Sequence, residues 1–177
     1  MPSTIDLARA ITRTDSEGAG LWCTTVCTHP ADQPALFEQI IARHTPVTLA
    51  DLDKAADTLV QRVTGWKRWE AAHVWSYTLG GWPTIDGDLM GRGVDLTTLP
   101  AGRATNTAYA WWQQRLGNDE QAWKKFVRDM ERTPTRIIEA EAAKPLDPAL
   151  YGLVNARPSR SQPDPSASTI PKPDQIP

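Results

Sequence analysis

Apolar residues at helical spacing, cut again and again by glycine or proline, constrain this chain more than any other feature. Leu36, Phe37, Ile40 and Ile41 make one stripe. Leu49, Leu52, Ala56, Leu59, Val60 and Val63 make a second, and Trp123, Phe126, Val127 and Met130 make the cleanest. Steps of three and four residues put such side chains on one face of an α-helix. Gly65, the Gly80–Gly81 pair, Gly117 and Pro134 stand where these stripes stop, as glycine and proline do at helix ends. The spacing therefore predicts an all-α fold, a compact bundle of six or seven short helices.

Further local signals refine that reading. Residues 4–13 read as a short helix with Leu7, Ala8 and Ile11 on one face. Pro34 suits the first turn of the next stripe, where its missing N–H would be unpaired anyway. Thr48 and Asp51 have the spacing of a capping pair, with an acid in place of the usual Glu or Gln. The stretch from Trp66 to Gly81 reads as one helix, with Trp66, Trp69, His73 and Tyr77 on one side and Trp75 and Leu79 on another. Residues 102–116 and the helix beginning near Asn118 form a hairpin, and "TRIIEAEAAK" adds a short helix whose Glu139 and Glu141 read as a solvated face. The run "LWCTTVCTHP" is ambiguous, since a short β-branched apolar stretch fits either a strand or a buried connector.

From Asn155 the composition changes. Residues 155–177 are rich in Pro and Ser with few apolar groups, and such a segment cannot bury enough surface to offset its ordering entropy. The expected organisation is one helical domain over residues 1–154. Residues 155–177 follow as a disordered tail, or one strapped onto a partner.

Bulk numbers exclude some functions. The 177 residues are 40% hydrophobic and carry a formal net charge of -2, which argues against a protein devoted to gripping a phosphate backbone. Lys124, Lys125, Arg128 and Arg132 form a basic edge, but Asp119, Glu120, Asp129 and Glu131 dilute it. No run approaches the roughly 18 apolar residues of a membrane span, and no secretory leader is visible. The expectation is a soluble intracellular protein with no membrane and no nucleic-acid partner.

Chemistry-bearing groups are sparse. Cys23, Cys27, His29 and His44 are the right types for zinc, but the Cys-x-x-Cys knuckle is absent, and two buried free cysteines are the commoner outcome. Cys23 or Cys27 with His29 could pair as nucleophile and base, with nothing to orient them. His73 lies on a tryptophan-lined face and reads as a satisfied core or interface histidine. The stretch "GGWPTIDGDLMGRGVDLTTLP" collects Asp86, Asp88 and Asp95 among glycines. Aligned on a calcium loop from Asp86, it has Asp88 and Gly91 in place, but Met90 and Thr97 where the fifth and twelfth positions need oxygen ligands. It lacks the lysine of a phosphate loop. The structural expectation is two short capped turns, started by Thr84 and Asp95, that wedge Ile85, Leu89, Val94, Leu96 and Leu99 into the core. The overall expectation is a non-enzymatic protein without cofactor or metal.

Eight tryptophans against 2 Phe and 3 Tyr suggest a wedged core or a contact surface. Trp66, Trp69, His73, Tyr77, Trp82, Trp111 and Trp112 are the candidates for partner contact. Over residues 80–130, Trp82, Asp88, Leu89, Gly93, Val94, Asp95, Leu96, Leu99, Arg103 and Trp111 form a pattern. It resembles that of small proteins from the tail-assembly region of actinobacterial phages, the tail assembly chaperones. Where that family often has a Leu-Pro-x-Asp-Ser type turn, this chain has "RLGNDEQ". The resemblance implies binding of the tape-measure protein, or another tail or head component, in the cytoplasm of the infected host. Two other binding roles fit a small helical body with a Pro-rich tail. One is a virion protein at the head–tail connector or capsid; the other is an early phage protein that binds a host factor. Homo-oligomerisation is compatible with each.

Overall fold

The structure, a computed structural model, describes residues 3–13, 18–42 and 47–143. His44 and the Pro/Ser-rich stretch from Asn155 lie outside the described residues. Among the described residues there are nine helices and no strand: α1 (Thr4–Ile11), α2 (Ala19–Cys27), α3 (Gln33–Ile41), α4 (Leu49–Thr64), α5 (Arg68–Gly80), α6 (Trp82–Gly91), α7 (Ala101–Leu116), α8 (Glu120–Glu131) and α9 (Thr135–Ala142). The chain divides into two units, Met1–Pro134 and Thr135–Pro177, so the second begins before the composition change at Asn155. In the second unit α9 is described, with Ile138 and both of its glutamates exposed.

The all-α expectation holds, with more helices than the stripes alone suggested. Helix α2 is the main correction, since "LWCTTVC" is neither strand nor connector. Thr24 is accommodated by turning its hydroxyl back onto the helix, Oγ1 donating to the Gly20 carbonyl at 2.8 Å. Helix α4 then holds α2 along its length, and tertiary packing overrides weak propensity. The approach is close at Gly20, where a Cβ would come within 2.7 Å of the Asp53 backbone.

Helix ends follow their residues. Thr48 and Asp51 form a reciprocal capping box at the start of α4, and Gly65 ends that helix in the left-handed conformation at φ 80°. Helix α5 starts at Arg68, so Trp66 stands in the turn before it. Asp119, rather than Asn118, caps α8 by accepting from the N–H groups of Gln121 and Ala122.

Two hydrophobic clusters form the core of the first unit. The larger gathers Leu7, Ala8 and Ile11 of α1, Cys23, Ala56, Val60, Trp75, Ile85, Leu89, Leu96, Ala104 and Trp111. The smaller joins α5, α7 and α8 through Val74, Ala108, Phe126 and Met130. Helix α3 contributes to neither and has no buried residue.

Candidate functional site

The aspartate- and glycine-rich stretch becomes helix α6 and a turn. Gly81 precedes the helix and Pro83 lies in its first turn, so Thr84 is inside the helix and does not cap it. Ile85, Leu89 and Leu96 are buried, and Val94 and Leu99 are partly so, as expected of wedges. Gly93 takes φ 76°, a conformation that costs glycine little. Asp95 caps its own turn, its Oδ1 accepting from the Thr97 N–H at 2.8 Å and hydroxyl at 2.6 Å. Asp88 does not cap a helix. Its Oδ2 accepts from the Trp111 indole N–H at 2.6 Å and lies 2.9 Å from Arg92 Nη2. The Trp111 hydrogen bond, helped by Arg92, holds the Asp88 carboxyl below its ordinary range. Two of the three aspartates thus spend their oxygens on neighbouring side chains and turns.

Cys23, Cys27 and His29 sit in different environments. Cys23 is buried and Cys27 half-buried, both as free thiols. Burial raises both thiols above their ordinary value; the Arg68 guanidinium opposes the rise at Cys23. Such thiols stay protonated and weakly nucleophilic near neutral pH. His29 is exposed, and its Nδ1 accepts from the Ala31 N–H at 3.3 Å. His29 and Cys27 do line one cavity of about 450 Å³ with Asp6, Gln33, Leu59 and Val63. Among the described residues, however, no three His, Cys, Asp or Glu side chains are arranged to hold a metal ion.

Six of the seven aromatic contact candidates pack inward. Trp111 is buried, and Trp66, Trp69, His73, Trp82 and Trp112 are partly buried, leaving Tyr77 exposed. Most of them, with Tyr109, Trp123 and Phe126, form a nest of tilted, edge-on and stacked rings whose centroids lie 4.8 to 6.5 Å apart. Four indoles find acceptors: Trp66 on Asn106, Trp75 on Thr105, Trp111 on Asp88 and Trp112 on Thr78. The Trp69 indole nitrogen and His73 Nε2 are buried without a hydrogen-bond partner. Where the sequence reads as a satisfied core or interface histidine, the chain itself leaves His73 Nε2 without a partner. Burial lowers its pKa, and Asp129 pulls weakly the other way.

Arg68 was not singled out by the sequence pattern. Its side chain is 0% exposed, with Nη2 donating to Asp53 Oδ1 at 2.7 Å. Its Nε lies 2.7 Å from Asp57 Oδ1 in an ion pair, although the angle falls short of a hydrogen bond and Nη1 has no acceptor. The available signal was the i, i+4 pair Asp53 and Asp57 beside the apolar stripe of α4, a spacing that puts both carboxylates on one face. This knot ties α4 to the first turn of α5 and reads as architecture.

Searches against protein-family models, curated proteins and solved structures return no match for the chain. The remaining surface features must then carry the functional argument. Trp22, Phe37, Ile41, Val47, Leu49, Tyr77, Met90 and Ile138 are the exposed large hydrophobics among the described residues. Five of these eight fall between residues 22 and 49, in α2, in α3 and at the start of α4. On α3, Phe37 is 39% exposed and Ile41 77%, while Leu36 and Ile40 are partly covered. The stripe read as a core face is half open. A second feature is an open groove of about 940 Å³ on α8, floored by Trp123 and Val127 and rimmed by Lys124, Arg128, Asp129, Glu131 and Arg132.

Proposed function

We propose that this chain is a non-enzymatic bacteriophage assembly protein of the tail assembly chaperone type. It would bind a structural partner, such as the tape-measure protein, through apolar helical surface. The observation that supports a binding role is the concentration of exposed large apolar side chains between Trp22 and Leu49. Exposed apolar surface can mark a protein–protein contact, and a short helix whose i, i+4 apolar pair, Phe37 and Ile41, is exposed suits helix-in-groove recognition. The phage assignment rests on the resemblance over residues 80–130. On this reading the working contacts come from α3 and its flanks, while the tryptophans of α5 to α8 supply the rigid body that presents them.

Co-expression with a tape-measure protein tests the role. The expected result is a larger soluble fraction of the tape-measure protein and its co-purification with this chain. Unchanged solubility together with no co-purification would remove the chaperone role.

A further inference from the structure

His73 is set into the contact between α5 and α8. Its ring lies 4.8 Å from that of Tyr77 on its own helix and 5.0 Å, edge-on, from that of Phe126 on α8. Tyr77 and Phe126 meet each other at 5.1 Å, and Trp112 and Tyr109 of α7 pack on Phe126 from the other side as neutral rings. His73 Nε2 is enclosed there without a hydrogen-bond partner. A neutral imidazole carries one N–H, whereas the imidazolium carries one on each nitrogen, so a charged His73 aims a donor at a space that holds no acceptor. Among the described residues, Asp129 of α8 is the charged group that acts on the ring, and none on α1, α4, α6 or α7 does. Asp129 makes no hydrogen bond to His73, and its Oδ1 lies 3.4 Å from Arg128 Nε. Helix α8 is lightly anchored. Its buried residues are Phe126 and Met130, and it packs on α5 and α7. Lys124, Lys125, Arg128 and Glu131 on it are exposed. A helix held by so few buried side chains opens more readily than the core beneath it.

We infer that His73 makes the α5–α8 contact acid-labile: charging its ring releases α8 while helices α1 to α7 stay folded. Release brings Nε2 to water, so the open form takes up a proton near the ordinary value of 6.5, and the closed form only below it, because burial disfavours the imidazolium. The closed contact is therefore at full strength above pH 6.5. It weakens as pH falls from there through the folded pKa, by up to about tenfold in the opening equilibrium per pH unit. Once released, α8 withdraws Phe126 and Met130 from the core and uncovers the rings of Tyr77, Tyr109 and Trp112 against which Phe126 packs. Acid thus bares an aromatic surface that the chain keeps covered at neutral pH. The device lies wholly within the first unit and is independent of any phage partner.

Amide hydrogen exchange of the purified full chain, read by mass spectrometry and corrected for the intrinsic exchange rate, tests it. In the wild type, peptides from α8 should lose protection by at least about threefold between pH 7.5 and 5.5. Peptides from α4, whose Leu52, Ala56 and Val60 are buried in the larger cluster, should keep theirs. His73→Phe and His73→Gln, each checked for native helical circular dichroism at pH 7.5, should both lose the pH dependence of α8. Glutamine is polar and does not titrate, so it separates the charge from the ring packing. Unchanged α8 protection in the wild type would overturn the inference. So would loss in α8 and α4 together, which means global unfolding, or a gain in α8, which means that the charged ring pairs with Asp129. A folded variant in which α8 still loosens in acid as in the wild type would place the trigger elsewhere and overturn it as well.

Discussion

Arg68 is the residue on which the α4–α5 junction turns. A fully buried guanidinium is tolerated because Asp53 and Asp57 meet it, and both keep some contact with water. Removing one side of a buried ion pair leaves an uncompensated charge, typically at a cost of about 3–5 kcal/mol. The double change Asp53→Asn/Asp57→Asn should therefore lower the unfolding free energy in urea by about that much. A loss under about 1 kcal/mol would show that solvent, not the carboxylates, neutralises Arg68. His73 gives a pH test. Its folded pKa lies below its ordinary 6.5 because burial disfavours the imidazolium. The unfolded chain then takes up a proton before the folded chain does, so stability is full above pH 6.5 and falls as pH drops through the folded pKa. His73→Phe keeps the ring packing, removes the buried unpaired nitrogen and should flatten that slope. Thermal melts of both proteins from pH 7.5 to 5 measure it; parallel curves would contradict the assignment.

At the scale of elements, helix ends were legible because they depend on a few residues in sequence order. Thr48–Asp51 and Gly65 bound α4 as their chemistry dictates. Helix α2 was not legible, since its β-branched run favours a strand locally and only contact with α4 decides otherwise. The stretch with Asp86, Asp88 and Asp95 was readable as scaffold from its missing calcium and phosphate positions, but the hydrogen bond from Trp111 to Asp88, 23 positions away in sequence, is a pairing no local window shows. Glycines divide on the same ground. Gly20→Ala drives a methyl into the Asp53 backbone and should destabilise by at least about 1–3 kcal/mol, as overpacking does. In Gly87→Ala, within α6, the methyl meets nothing within 4 Å, so it should stabilise by roughly 0.5–1 kcal/mol through helix propensity alone. Urea unfolding of the pair should show opposite signs; the same sign would mean that α2 and α4 do not approach as described.

For the whole molecule, the helical class and most of the core were readable from periodicity. Which apolar faces stay open was not. The stripes of α3 and α8 look alike in sequence, yet Phe126 and Met130 are buried whereas Phe37 and Ile41 stand in water. Periodicity reports that a face exists, and the number of available neighbours decides whether it is covered. The tryptophans left core and contact surface both open in sequence, and all but Trp22 are at least partly buried. The most direct measurement of the central claim is co-expression of a tape-measure protein with the wild type and with Phe37→Asp/Ile41→Asp. Wild type should raise the soluble tape-measure protein and co-purify with it, and the variant, folded by circular dichroism, should do neither. Equal rescue by the two proteins, or none by the wild type, would contradict the claim that α3 and its flanks are the working surface.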